Sequence, residues 1–260
     1  MNNKLHWQTQ GEGLDLILIH GWGMNAAVWQ QVIPLLTDRF RVHTLDLPGY
    51  GHSHALSAHT IEEMAHLLLK HSPDKAIWLG WSLGGLVATK AALMAPEKVS
   101  GLVTVASSPR FAATKGWRGI NPEVLDAFAT QLDTDFNATI ERFMALQAMG
   151  SPTARQDTRW LKDAVLSRPS PDKAALEEGL TALAEVDLRE QLSSLTQPML
   201  RIYGRLDGLV PVRVADSVDL LAPESEKVVF AAASHAPFIS EPEAFAESLR
   251  AFGGQFLPSN

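Results

Sequence analysis

Short apolar runs recur along the chain at Leu14–Ile19 and at 41–45, 76–80, 102–106, 199–203 and 227–231, each set off by glycine or proline. Several are rich in Val and Ile and show little polar alternation. Such strands belong to a sheet covered on both faces, which means a mostly parallel sheet flanked by helices. Helical periodicity fills the gaps at 60–70, Leu83–Met94 and 242–251. The alternation predicts a doubly wound α/β architecture with right-handed crossovers. It stops at 111–190, where helical patterns run on without a strand, so the chain divides into a core of 1–110 plus 191–260 and an inserted helical lid of 111–190. Within the lid, 135–149 carries Phe136, Ile140, Phe143 and Met144 at helical spacing, and Gly150 supplies a C-terminal stop.

Composition narrows what such a fold can do. With 260 residues, 46% of them apolar, the chain can build one large core. A net charge of −7 and the lack of any basic run argue against non-specific nucleic-acid binding. The absence of cysteine excludes disulfides, thiolate metal sites and a cysteine nucleophile, leaving an oxygen or an amine to attack. The opening Met1 to Gln8 lacks an apolar leader core and no apolar stretch is long enough to cross a bilayer, so a cytoplasmic, non-membrane protein is expected.

The strongest chemical signal is Gly80-Trp81-Ser82-Leu83-Gly84, a G-x-S-x-G turn directly after one apolar run and directly before a helical one. A strand, a sharp turn and a helix project the serine hydroxyl above the sheet edge, and the helix N-terminus offers N–H groups to a developing oxyanion. Alone the pentapeptide is weak, because glycine-rich β–α turns also serve packing only. Its context is what gives it weight. His20-Gly21-Trp22-Gly23 follows the strand Leu14–Ile19, where a His-Gly loop supplies a second oxyanion N–H in serine hydrolases of this design. An acid and a histidine should then follow in chain order, each after a later strand, and Asp207 and His235 do so. Their plainer readings are an Asp-Gly turn for Asp207 and a backbone-bonded turn histidine for His20. Ser82, Asp207 and His235 are therefore the expected catalytic set, with His235 as base, so that kcat/KM falls as pH drops through about 6 to 7.

Other polar clusters carry less. Asp46 is a rival acid, but it precedes the serine and sits in a Pro-Gly turn, where it reads as a turn capper. His52, His54 and His59 lack metal-ligand spacing and read as a solvated loop. Neither a Walker-type loop nor a dinucleotide fingerprint is present, so neither metal nor organic cofactor is expected.

Taken together these residues resemble the α/β-hydrolase superfamily, and segments 18–29, 46–53, 78–88, 103–109, 207–211 and 235–240 are similar to its family of pimeloyl-acyl-carrier-protein methyl ester carboxylesterases of biotin synthesis. Lid segments 141–150 and 153–159 share the likeness, and lids diverge fastest between substrate classes. The resemblance implies a cytoplasmic monomer that hydrolyses a pimeloyl methyl ester borne on acyl carrier protein. It also implies that Trp22 and Leu83 supply the oxyanion N–H groups and that Phe143, Met144, Ala145, Leu146 and Gln147 line the acyl channel. One departure is Ala138, where the family often carries arginine, which weakens or redistributes carrier docking.

Spacing adds to the docking expectation. Arg155, Arg159 and Lys162 fall at i, i+4 and i+7 and form one basic stripe on a helix, with Arg142 nearby. Residues 137–173 hold six basic side chains (Arg142, Arg155, Arg159, Lys162, Arg168, Lys173) against four acidic ones, a basic region in an acidic chain. The alternatives are a solvated helix face for the stripe and, for the whole protein, a promiscuous short-chain carboxylesterase, a C–C bond hydrolase or a non-catalytic ligand receptor of the same fold.

Overall fold

The computed structural model describes residues 4–257, with the side chains of Asp133, Phe136 and Asn137 outside that description. The first three residues of the opening stretch, and Phe136 of the predicted lid face, therefore lie outside the described set.

All six predicted strands form. They are β2 (Leu14–Ile19), β3 (Phe40–Leu45), β4 (Ala76–Trp81), β5 (Val99–Val105), β6 (Met199–Gly204) and β7 (Glu226–Phe230), preceded by β1 (Trp7–Gln10), which the apolar pattern did not mark. Among the described residues they make a 7-stranded sheet in the order β1-β3-β2-β4-β5-β6-β7. Only β1 runs antiparallel, against β3. β1 is a mostly exposed edge strand, so no apolar run was needed to form it. Its anchor is polar: Trp7 Nε1 donates to His43 Nδ1 at 3.1 Å, and His43 Nε2 meets Asp15 Oδ1 at 2.7 Å. At the other edge, β7 is more exposed than a doubly covered strand would be.

The predicted helices are α1 (Ile61–His71), α2 (Leu83–Met94) and α9 (Pro242–Gly253); α7 (Val214–Leu221) and the short α8 (Pro237–Ser240) complete the core. Thr60 caps α1 by accepting the Glu63 N–H at 3.1 Å, while the Glu63 carboxylate accepts the His59 N–H at 2.7 Å, a reciprocal arrangement that fixes the helix start. α2 is buried almost all round, and its small residues let it lie close on β4 and β5. A Cβ on Gly85 would come within 2.2 Å of Ser107 Oγ.

Four helices occupy the predicted insertion: α3 (Pro122–Thr134), α4 (Phe136–Ala148), α5 (Ala154–Leu166) and α6 (Lys173–Glu185). Asp135 caps α4 by accepting the Ala138 N–H at 3.0 Å, and Gly150 follows with φ +92°, as the sequence predicts for a stop. α4, α5 and α6 meet the loops at the C-terminal edge of the sheet, Phe143 of α4 against Trp22, α5 against 26–29 and Leu176 O of α6 accepting the Trp22 indole N–H, while α3 packs on α4 and α6; parallel α/β sheets place their ligand sites at this edge. Among the described residues no helix is long and apolar enough to cross a membrane.

Candidate active site

Four loops meet at the C-terminal edge of the sheet, following β2, β4, β6 and β7. The β4 loop holds Ser82 at φ 55°, ψ −120°, a left-handed conformation that β-strand and helix residues avoid. Neighbouring glycines make it possible: a Cβ on Gly80 would sit 2.0 Å from Gly84 O, and one on Gly84 2.5 Å from Ile19 O. Two further bonds steady the turn, Ser82 N–H to Val105 O at 2.9 Å and Ser107 Oγ to Ser82 O at 2.8 Å.

The loop after β2 lies directly against this turn, with Gly21 so close that a Cβ there would be 3.1 Å from Ser82 Cβ. His20 is wholly buried and bridges main chain on both sides: Nε2 accepts the Leu47 N–H at 2.9 Å and Nδ1 lies 2.8 Å from Gly21 O. Nε2 must be bare to accept, so Nδ1 carries the proton and donates to Gly21. Burial drives its pKa down to about 4. His20 thus holds the loop rather than reacting, and the Trp22 and Leu83 main-chain N–H groups, both buried, have no acceptor among the described residues. Unpaired buried N–H groups cost free energy and are rare, and these two follow directly on Gly21 and Ser82, the two residues in close approach.

Asp207 and His235 come together as expected. Asp207 Oδ2 lies 2.8 Å from His235 Nδ1, while its Oδ1 accepts N–H groups from Leu209 at 2.8 Å and Val210 at 2.9 Å. Asp207 is therefore both a turn former and the partner of the imidazole. Ser82, Asp207 and His235 are all buried, and His235 Nε2 has no hydrogen-bond partner among the described residues. The contact from serine to base is often long before substrate binds.

Of the expected channel residues, Phe143, Met144 and Gln147 are buried, Leu146 is half-buried and Ala145 is exposed. The buried ones share one face of α4, and Phe143 meets Trp22 edge-on with ring centres 4.7 Å apart. Both amide atoms of the Gln147 side chain are buried without a partner among the described residues.

The basic stripe is partly committed elsewhere. Arg155, Arg159 and Lys162 are exposed on α5, but Lys162 Nζ pairs with Glu141 Oε1 of α4 at 2.6 Å. Arg142 turns toward α3, with Nη1 3.1 Å from Gln131 Oε1 and its guanidinium over the Phe128 ring. Arg155 and Arg159 carry no ion pair among the described residues. Arg168, counted above with the basic surface, points inward instead: its Nη1 contacts both oxygens of Asp46 at 2.7 and 2.8 Å.

Asp46 therefore does more than cap a turn. It accepts N–H groups from Ala26 and His52, each at 2.8 Å, and binds Arg168, all while wholly buried. Burial alone would raise its pKa; the neighbouring His20, the Ala26 N–H and Arg168 outweigh it and hold the carboxyl below the usual range. No sequence spacing links Asp46 to Arg168, 122 residues away. His52, His54 and His59 are exposed and do not converge: His52 packs on His6, His54 bonds Gly51 O, and His59 pairs with Glu178.

A family profile described as alpha/beta hydrolase fold matches residues 16–242. A relative from Photobacterium profundum, named pimeloyl-[acyl-carrier protein] methyl ester esterase, is 67% identical over 97% of this chain and 99% of its own length. One of the same name from Vibrio vulnificus is 61% identical over 98% of this chain and all of its own. Among solved structures, an esterase from Exiguobacterium antarcticum superposes with a TM-score of 0.87 at 23% identity, covering 96% of this chain and 95% of that one, a likeness of fold.

Proposed function

Because this chain belongs to the α/β hydrolases and, within them, to the pimeloyl-[acyl-carrier protein] methyl ester esterases, we propose that it hydrolyses the methyl ester of a pimeloyl chain carried on acyl carrier protein, in biotin synthesis. Ser82 Oγ attacks the ester carbonyl and passes its proton to His235 Nε2. The oxyanion is held by the Trp22 and Leu83 N–H groups. Collapse expels methanol, which takes the proton from Nε2, and leaves an acyl-enzyme; water then attacks with His235 as base, Ser82 Oγ leaves and takes that proton back from Nε2, and the freed carboxyl group departs on its carrier as the carboxylate. The observation that carries this reading is the orientation of His235, whose Nδ1 is committed to Asp207 while Nε2 is left unpartnered.

In this reading residues 111–190 act as a lid, with Phe143, Met144, Leu146 and Gln147 facing the acyl chain and Ala145 contributing least, being exposed. Arg155 and Arg159, joined by Arg142 and Lys162, attract the acidic carrier. The enzyme is taken to be a cytoplasmic monomer. Replacing Ser82 by Ala should lower kcat about 10⁴-fold or more. Comparison of a carrier-bound methyl ester with the same ester free in solution tests the substrate: the carrier-bound form should have the higher kcat/KM. Equal values, or near-normal turnover by Ser82→Ala, would overturn the proposal.

A further inference from the structure

The variable position before the serine in the G-x-S-x-G turn is Trp81, and its side chain is wholly buried. The indole Nε1–H donates to the main-chain carbonyl of His235 at 2.7 Å. On the other side of the same residue, the His235 N–H donates to the carbonyl of Gln147, near the end of α4, at 3.0 Å. His235 lies in the loop between β7 and α8, outside any regular element. Its main chain is thus gripped from the nucleophile's own strand and from the lid, and its ring by Asp207.

The indole itself has little freedom. Its ring meets Phe238 edge-on at 4.9 Å and Trp29 at 6.3 Å, and it lies 5.8 Å from the His235 ring. Ser82 is the next residue in the chain, so the hydrogen bond ties the histidine loop to a point one residue from the nucleophile.

We infer that Trp81 is a positioning residue for the ester hydrolysis: through its indole N–H it sets the distance from Ser82 to the His235 base. The inference rests on Ser82 and His235 acting as proposed above. Its chemical basis is that a base misplaced by about 1 Å can cost up to 10²-fold in rate. Without the indole donor the buried His235 carbonyl has no partner, and the loop must shift to find one.

Two replacements separate the hydrogen bond from the packing. Trp81→Phe keeps an aromatic ring but has no donor. In Trp81→His the imidazole overlays the pyrrole ring, so that Nε2–H replaces the indole N–H while the benzo ring is lost. Turnover of p-nitrophenyl acetate at pH 8, per active site titrated with diethyl p-nitrophenyl phosphate, should fall about tenfold in kcat for Trp81→Phe with KM within about twofold. Trp81→His should recover several-fold of that loss although its thermal midpoint is the lower of the two, since it buries less apolar surface. A side chain that merely packs would give the opposite order, with Phe the more active. Phe turning over as fast as His, or within about twofold of the parent, would overturn the inference. Should Trp81→Phe not fold, Trp81→Leu is the donorless partner in the same comparison. A Ser82→Ala control, measured per mole of protein, distinguishes the two levels: near-normal turnover there removes the triad, whereas a strongly impaired control beside a fully active Trp81→Phe removes only the role of Trp81.

Discussion

Replacing Arg168 by Met tests the tie between the α5–α6 connection and the loop after β3, because it keeps most of the apolar stem and removes the charge. The Asp46 carboxylate would then stay wholly buried with only the Ala26 and His52 N–H groups as partners. Breaking a buried ion pair typically costs about 3–5 kcal/mol. A similar scale follows from the carboxyl's alternative, which is to take up a proton. At pH 7 that costs about 1.4 kcal/mol for each of roughly three units above an ordinary aspartate pKa, or about 4 kcal/mol. A loss of about 3 kcal/mol at pH 7 is therefore expected. In the parent, the lowered pKa of Asp46 gives stability that is present above the unfolded value and lost as pH falls through the folded one. In the variant the carboxyl is no longer favoured as an anion, so the deficit grows with pH and shrinks toward pH 4. Urea unfolding followed by tryptophan fluorescence at pH 5 and pH 7 measures both effects. A deficit below about 1 kcal/mol, or one that is the same at the two pH values, would refute the reasoning, since a solvated pair behaves that way.

Charge reversal at Arg155 and Arg159 should raise KM for a carrier-bound ester several-fold, less so at high salt, and leave p-nitrophenyl acetate turnover nearly unchanged; equal loss on both substrates would indicate a folding defect instead. Gln147→Leu removes a buried amide without partners, so the protein should gain about 1–3 kcal/mol in urea unfolding. The same variant should lose kcat/KM on the carrier-bound ester if the amide serves the substrate. His20, held neutral by burial with a pKa of about 4 against 6.5 when unfolded, contributes stability that is present above pH 6.5 and lost as pH falls toward 4. The loss should reach about 3 kcal/mol and be flattened in His20→Gln, as read from unfolding curves across that range.

Much of this protein is legible in one dimension. Strands covered on both faces must be largely apolar, so the central parallel strands stand out, and β7 is marked by its Val228-Val229-Phe230 run although it lies at an exposed edge; β1, whose edge position asks only for backbone pairing and a few polar contacts, is not marked. The turn around Ser82 is legible because a left-handed residue between close-packed backbones requires glycines at fixed offsets, and because chain order places Asp207 and His235 after successive strands. Helices α3 to α6 show their apolar faces at 3.6-residue spacing. Spacing cannot say which charged side chains turn outward. Arg168 and Arg159 look alike in the sequence, yet one is drawn inward by a buried carboxylate 122 residues earlier and the other stays exposed. The same holds for Trp81, which any pattern assigns to the apolar core; only the folding of β7 beside β6 brings the His235 carbonyl to its N–H. Local periodicity and turn chemistry act over a few residues and are written in the sequence. Partners for buried polar groups are chosen by whatever the fold brings within about 3 Å, and that is decided only when the chain closes on itself.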